Sequence, residues 1–135
     1  MVWLAVCTSA KRSMKISSVM SVLIVDDHPS FRASARRLLE AEGFDVVGEA
    51  RDGRAAIAAA QQLQPDLVLL DVQLPDLDGF EVAARMAALK VPSAVVLTSS
   101  RTPAEYGRLV TETGVRGFVP KSELSGAVLT ALLSR

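Results

Sequence analysis

The sequence predicts an α/β fold in which five parallel strands form a doubly wound sheet with five helices on its two faces. Residues 22–25, 67–70 and 94–97 are apolar throughout rather than alternating, which is typical of parallel strands buried on both sides. Segments with apolar residues at helical spacing follow these runs. Strands and helices therefore alternate along the chain, as they do in layered α/β folds.

Turn and capping residues mark the elements of the first half. The first helix is predicted to begin at Pro29 and to end before Gly43, because a glycine there can take the left-handed conformation. Asp45–Ala50 alternates imperfectly, which favours an edge strand. A second helix over residues 55–63 is expected to be capped by Asp52.

The second half contains three further helix signals. Asp78 and Glu81 form a predicted capping box for a third helix through Leu89, and residues 102–105 supply the start of a fourth, which ends near Gly114. After a short strand over residues 117–119, Ser122 is expected to cap the last helix, at about residues 123–134. Its inward side chains are predicted to be Leu124, Val128, Ala131 and Leu132.

Length and composition restrict the class of protein. One domain is expected for 135 residues, and a composition that is 50% hydrophobic argues against a disordered chain. Lys+Arg and Asp+Glu balance at 15 each, which excludes a basic nucleic-acid footprint over the whole chain. The single Cys7 and single His28 exclude a disulfide framework and zinc sites built from cysteines or several histidines. Because no apolar run reaches the ~20 residues of a membrane span, we expect a cytoplasmic protein.

Residues 1–20 differ from the rest of the chain in charge. They contain Lys11, Arg12 and Lys15 and no acidic residue, whereas residues 21–135 contain 12 basic and 15 acidic side chains. The apolar run that ends at Cys7 is short and precedes its positive charges, which disfavours a signal peptide. We therefore predict a disordered or mis-started extension over residues 1–20 and one domain over residues 21–135.

Polar side chains directly follow four of the predicted strands: Asp26 with Asp27, Asp71, Thr98 and Lys121. The carboxyl ends of parallel strands meet at one edge of the sheet, where such folds bind ligands. Two carboxylates about 4 Å apart repel by roughly 4 kcal/mol at an effective dielectric near 20, so a proton or a cation must accompany them. Oxygen ligands favour the hard cation Mg²⁺, with Ca²⁺ as the weaker alternative.

This set of groups suits phosphoryl transfer. Mg²⁺, the Lys121 ammonium and the Thr98 hydroxyl could stabilise the charge on the phosphoryl oxygens, and a carboxylate nucleophile would form an acyl phosphate. Neither of the glycine-rich nucleotide-binding motifs, GxxxxGK[ST] and GxGxxG, occurs in the sequence.

Over about residues 20–135 the sequence resembles a response regulator receiver domain. Four segments carry the resemblance: Val25-Asp26-Asp27, Asp71-Val-Gln-Leu-Pro75-Asp-Leu-Asp78-Gly79, Leu97-Thr98 and Phe118-Val-Pro-Lys121. The resemblance implies the flavodoxin-like strand order 2-1-3-4-5 of the chemotaxis receiver. It also implies that Asp71 is the phosphoacceptor. Asp26, Asp27 and Asp71, with the backbone carbonyl of Gln73, would bind Mg²⁺.

The other matched positions are those that, in the receiver family, respond to the phosphoryl group. The resemblance implies that Thr98 is the switch hydroxyl, Phe118 the switch aromatic and Lys121 the phosphate-binding lysine. Many receivers follow this lysine with a cis proline, whereas Ser122 follows it here. A cis bond is therefore not assumed, because it costs about 2.5–4 kcal/mol without proline.

The implied function is two-component signalling. The receiver would take a phosphoryl group from a sensor histidine kinase or phosphotransfer protein and switch its helix 4, strand 5 and helix 5 surface, on which a homodimer could form. It would catalyse only its own phosphotransfer and dephosphorylation, so it would not be an enzyme in the usual sense. Asp26-Asp27-His28-Pro29 and residues 117–122 are similar to NarL-type receivers, which usually precede a helix-turn-helix domain. We expect a stand-alone receiver or the N-terminal part of a transcriptional regulator, with no nucleic-acid or membrane contact of its own.

Two other functions fit parts of the pattern. A Mg²⁺-dependent phosphatase of the DxD type would also place an aspartate nucleophile after a strand, but its second acid would stand at position 73, which is Gln. A pseudo-receiver that acts only as an interaction module is the second alternative. Near the acids, His28 is expected to face solvent rather than bind metal. Arg32 and Arg36 lie one turn apart and form either a solvated face or a kinase contact.

Overall fold

The computed structural model describes residues 19–101 and 106–134, which contain one five-stranded parallel sheet. The strands are β1 (Ser21–Val25), β2 (Asp45–Ala50), β3 (Leu67–Asp71), β4 (Ala94–Ser99) and β5 (Gly117–Pro120). The helices are α1 (Pro29–Ala41), α2 (Gly53–Leu63), α3 (Gly79–Ala88), α4 (Tyr106–Thr113) and α5 (Gly126–Leu133), and Lys121–Glu123 form a 3₁₀ turn. The strand order β2-β1-β3-β4-β5 confirms the doubly wound fold and places β2 at an edge.

The sheet is buried on both faces, as its apolar strands predict. Helices α2, α3 and α4 cover one face, and the buried strand residues there are Leu23, Val25, Ala50, Val68, Leu70 and Leu97. Helices α1 and α5 cover the other face, where the buried strand residues are Val22, Ile24, Val46, Leu67, Leu69, Val96 and Val119. Because helices occupy both faces, polar side chains of the strands gather at the carboxyl edge of the sheet.

Helices α2 and α3 begin at the aspartates that the sequence predicts. The Asp52 carboxylate accepts the N–H of Ala55 at 2.8 Å, and Asp78 accepts that of Glu81 at 2.8 Å. The Glu81 carboxylate binds Arg85 Nε one turn later at 3.0 Å. Each cap satisfies a backbone donor that has no partner inside its helix.

The predicted start of the last helix is wrong. The N-cap of α5 is Ser125, whose hydroxyl accepts the N–H of Val128 at 3.1 Å, and not Ser122. After β5 the chain makes the 3₁₀ turn Lys121–Glu123 and then extends at Leu124, with φ −65° and ψ 128°. An extended residue cannot belong to a helix, so α5 begins only after it.

The later start changes the buried face of α5. Leu129, which the sequence analysis did not select, is fully buried, whereas Val128 is 36% exposed and Ala131 is also exposed. Leu124 and Leu132 are half-buried against the α1 side of the core. Half of the predicted inward face is therefore wrong.

Two predictions concern residues that the structure does not describe: most of the extension, up to residue 18, and the helix start at residues 102–105. Among the helices that it does describe, none combines the length and apolarity needed to cross a bilayer. The described residues contain no cis peptide bond, so the peptide after Lys121 is trans.

Candidate functional site

The ends of the central strands bring the predicted site residues together. Asp26 directly follows β1, and Asp71 ends β3 in register with Thr98 of β4. The chain runs outward in opposite directions from β1 and β3, so this edge is the topological switch point at which doubly wound folds bind ligands. Lys121 reaches the same place from the end of β5.

Three carboxylates and one imidazole form a cluster at this edge. Potential ligand atoms of Asp26, Asp27, His28 and Asp71 all lie within 4.8 Å of one another. Asp26 and Asp71 are buried, and the Asp27 side chain is 36% exposed. His28 is exposed, as predicted, but its Nδ1 also lies 3.0 Å from Asp26 Oδ1 and 3.1 Å from Asp27 Oδ1. The sequence did not indicate these contacts.

Lys121 supplies a positive charge to this cluster. Its Nζ lies 2.5 Å from Asp26 Oδ2, 3.4 Å from Asp71 Oδ2 and 4.5 Å from the centroid of the Phe31 ring. Burial alone would lower the pKa of Lys121. The hydrogen bond to Asp26 and the charge of Asp71 outweigh burial and raise that pKa above its ordinary value. Lys121 is therefore protonated at neutral pH.

One lysine does not balance the negative charge around Asp71. Burial and then the charge of Asp26 raise the pKa of Asp71 to about 6, although the N–H of Gln73 and the charge of Lys121 act in the opposite direction. The Gln73 N–H lies 3.2 Å from Asp71 Oδ1. A divalent cation would relieve this repulsion, and carboxylate oxygens are the donors that a hard cation such as Mg²⁺ prefers. The acidic cluster therefore has the composition of a metal site.

A tight loop follows Asp71 and leads into α3. The Gly79 N–H donates to the Val72 carbonyl at 2.6 Å, and Gln73 pairs with Asp78 in an antiparallel bridge. A Cβ on Gly79 would lie 2.6 Å from the Asp71 carbonyl oxygen, so this position accepts only glycine without a shift of the backbone. The close approach of the Asp71 carbonyl oxygen thus explains why the sequence motif has a glycine at position 79.

Thr98 and Phe118 occupy neighbouring strands, β4 and β5. Thr98 is buried, and its hydroxyl has no hydrogen-bond partner among the described residues. Phe118 is half-buried and packs edge-to-face on Tyr106 of α4 at 5.4 Å, and Tyr106 packs on Phe80 of α3 at 5.5 Å. A buried hydroxyl without a partner costs stability, which is typical of a functional group.

Arg32 and Arg36 have partners on β2 and in the loop after β1 that the sequence did not indicate. Arg32 donates to the Asp26 carbonyl at 2.7 Å and to Glu49 at 3.0 Å, and Arg36 donates to Glu49 at 2.7 Å. The hydrogen bond from Arg36 is the main cause that lowers the pKa of Glu49. Arg32 therefore links the loop after β1 to Glu49 of β2, and Arg36 binds the same Glu49 carboxylate. Their one-turn spacing was the only sequence signal, and it does not identify a partner on another element.

Comparison with known proteins agrees with this geometry. The family model described as "Response regulator receiver domain" matches residues 22–133. The chain is 41% identical over 110 residues to the virulence transcription regulator BvgA of Bordetella pertussis; the match covers 82% of this chain and 53% of that protein. The chain therefore spans about half the length of the curated relatives it matches. The receiver domain of the response regulator NarL from Mycobacterium tuberculosis superposes with a TM-score of 0.77 at 35% identity, covering 86% of this chain and 98% of that one. A LuxR-family response regulator from Aurantimonas gives a TM-score of 0.79 at 28% identity, covering 87% and 88%.

Proposed function

Since the chain belongs to the response regulator receiver domain family, we propose that it accepts a phosphoryl group on Asp71 and acts as a phosphorylation-dependent switch. The position of Asp71 carries this proposal. Its carboxylate is buried at the end of β3, beside Asp26 and 3.4 Å from Lys121 Nζ. A nucleophile in these surroundings meets fixed positive charge where negative charge develops in phosphoryl transfer.

The reaction uses Asp71 in its ionised form. A pKa of about 6 leaves most of the carboxylate ionised at neutral pH. One carboxylate oxygen attacks the phosphorus of a phosphohistidine, the P–N bond breaks with its electron pair kept by the imidazole nitrogen, and an acyl phosphate forms. Lys121 and the Thr98 hydroxyl then bind phosphoryl oxygens, and Thr98 gains the partner that it lacks among the described residues.

The proposed cofactor is Mg²⁺. The carboxylates of Asp26, Asp27 and Asp71 and the backbone carbonyl of Gln73 would hold it, and when bound it supplies positive charge beside the phosphoryl oxygens. The oxygen donors within 4.8 Å and the uncompensated charge that raises the Asp71 pKa support this assignment.

The proposed output of the switch is the surface formed by α4, β5 and α5. Phosphate draws Thr98 inward, and Phe118 turns into the space that Thr98 leaves, so phosphorylation favours one of two arrangements of this surface. We propose that the protein is cytoplasmic, that its phosphoryl donor is a sensor histidine kinase or a phosphotransfer protein, and that phosphorylation favours a homodimer. The protein would turn over only its own phosphoryl group.

The relatives suggest where such an output would act. BvgA is named as a transcription regulator, and this chain spans 53% of its length. We propose that the chain is the receiver part of a regulator of this type or a stand-alone receiver, and that it makes no contact with DNA by itself.

Acetyl phosphate with Mg²⁺ tests the proposal. Intact mass spectrometry should show one added phosphoryl group on the wild-type chain and none on Asp71→Asn. The matched control is Asp45→Asn, which changes an exposed aspartate at the start of β2 and should be phosphorylated normally. Normal phosphorylation of Asp71→Asn would refute the assignment. A wild-type chain that takes up no phosphate and binds no Mg²⁺ would be a pseudo-receiver, and steady hydrolysis of a phosphate ester would indicate a phosphatase.

A further inference from the structure

Asp76 connects the loop after Asp71 to a helix that lies far away in the sequence. Its Oδ1 accepts the N–H of Gly53 at 2.7 Å and its Oδ2 accepts the N–H of Arg54 at 3.0 Å. These are the first two residues of α2. Oδ1 also accepts the N–H of Leu77 in the loop itself, at 2.8 Å. One carboxylate therefore ties the loop to a helix N-terminus, where negative charge is favourable.

The absence of a side chain at Gly53 allows the loop to approach α2 closely. A Cβ on Gly53 would lie 3.1 Å from Asp76 Oδ1, 3.1 Å from Leu77 Cβ and 2.8 Å from Val82 Cγ2. A larger residue at position 53 would therefore push the loop away from α2. Desolvation alone would raise the pKa of Asp76, but the N–H groups that it accepts outweigh this and lower that pKa, so Asp76 is ionised at neutral pH.

Asp76 is not the only residue that caps α2. Asp52, the residue directly before the helix, already accepts the N–H of Ala55 at 2.8 Å. The two aspartates bond to different N–H groups of the same helix turn, and only Asp76 belongs to the loop that follows the phosphoacceptor. What Asp76 adds is a fixed position for that loop.

The other end of the same loop touches the acidic cluster. Gln73 donates its N–H to Asp71 Oδ1 at 3.2 Å and pairs with Asp78. Gln73 stands three residues before Asp76, so the anchor on α2 restricts the peptide whose carbonyl is the proposed metal ligand. Groups that orient a metal ligand affect metal affinity without touching the metal.

We propose that Asp76 is a positioning residue: by fixing the loop after Asp71 to the N-terminus of α2, it holds the Gln73 peptide in place and so raises the affinity of the acidic cluster for a divalent cation. This inference rests on the proposed function, because it assumes that the cluster binds Mg²⁺.

Three variants of the full chain test it. Asp76→Ala removes the tie, Asp52→Ala removes the other cap of the same helix, and Asp76→Asn keeps the Oδ1 acceptor for Gly53 and Leu77 while it loses Oδ2 for Arg54. Mg²⁺ alone is titrated into each variant and followed by calorimetry. We expect the dissociation constant to rise about tenfold in Asp76→Ala, and to stay within about twofold of wild type in the other two. Amide hydrogen exchange of Gln73 should be faster in Asp76→Ala than in Asp52→Ala.

The exchange measurement separates this inference from the proposed function. If Asp76→Ala and Asp52→Ala weaken Mg²⁺ binding equally, Asp76 is only a helix cap and the inference is wrong. If the wild-type chain binds no Mg²⁺, the cation site of the proposed function is wrong, and unchanged Gln73 exchange in Asp76→Ala would also overturn the positioning role. If Asp76→Ala does not fold, Asp76→Ser, which also removes the carboxylate that ties the loop to α2, replaces it in both measurements.

Discussion

Replacing Asp71 with asparagine should stabilise the protein above about pH 6 and have little effect below about pH 4. The folded-state pKa of Asp71 is about 6, against 3.8 for an unperturbed aspartate, so the folded state binds this proton more tightly than the unfolded chain does. The stability gained from the proton is complete below pH 3.8 and is lost as the pH rises through about 6. Ionised Asp71 therefore costs the folded protein free energy at neutral pH.

The size of the effect follows from the shift. About two pKa units correspond to about 3 kcal/mol at 1.36 kcal/mol per unit. This value already includes the attraction between Asp71 and Lys121. In Asp71→Asn the amide oxygen can still accept the Gln73 N–H, and Lys121 keeps its ion pair with Asp26 at 2.5 Å. The substitution therefore removes one charge and leaves no other buried charge without a partner.

Urea unfolding between about pH 4 and pH 8, without divalent cations, measures this difference. We expect Asp71→Asn to exceed the wild type by up to about 3 kcal/mol at the upper end and to match it at the lower end. The exposed-site variant Asp45→Asn should track the wild type within about 0.5 kcal/mol. Added Mg²⁺ should stabilise the wild type and reduce its difference from Asp71→Asn. A variant that is less stable than wild type at pH 8, or a difference independent of pH, would refute the reasoning.

Two further substitutions probe the buried polar groups and the loop. Thr98→Val should raise the free energy of unfolding by about 1 kcal/mol, because a methyl group replaces a buried hydroxyl that has no partner among the described residues. The same variant should be phosphorylated more slowly by acetyl phosphate. Thermal unfolding and mass spectrometry measure the two effects, and a less stable variant would show that the hydroxyl is satisfied. Gly79→Ala should lower the free energy of unfolding by about 2 kcal/mol, because its Cβ would lie 2.6 Å from the Asp71 carbonyl oxygen, and urea unfolding measures this. The control is Gly107→Ala in α4, whose Cβ would meet no atom within 4 Å; its free energy of unfolding should rise by about 0.5–1 kcal/mol.

The strand-end residues could be predicted from the sequence because burial and position coincide in a parallel sheet. An apolar run stops where the chain leaves the sheet, so the next polar residue lies at the carboxyl edge whatever the helices do. Asp26, Asp71, Thr98 and Lys121 all lie at the edge where this rule places them. The rule needs only the local sequence and the fact that parallel strands share an edge.

Contacts between distant elements could not be predicted in this way. The Glu49 side chain binds Arg32 and Arg36 across 17 and 13 residues, and nothing in the local pattern pairs them. The start of α5 was wrong for a related reason. Ser122 and Ser125 are both acceptable N-caps, and the choice is made by the turn through which Lys121 reaches Asp26.

Asp78 and Asp76 belong to one loop, yet only the contact of Asp78 could be predicted from the local sequence. Asp78 caps the helix that follows it, three residues from Glu81, and this spacing is a recognised local signal. Asp76 caps α2, whose first residues precede it by 23 and 22 positions, and no local signal marks it. A carboxylate that caps its own helix can be predicted from the sequence alone, whereas one that connects two distant elements is found only in the three-dimensional structure.

The site groups share one energetic property. Two of the substitutions that should abolish or slow phosphorylation, at Asp71 and at Thr98, are also expected to stabilise the protein, because each removes a buried polar group that the described residues do not fully satisfy. A structural polar group would show the opposite sign, since its partners would be left unpaired by the substitution. The sign of the stability change therefore distinguishes a group that awaits a ligand from one that holds the fold. On this criterion a stabilising effect of both substitutions would support the proposal that a cation and a phosphoryl group complete the interactions of Asp71 and Thr98.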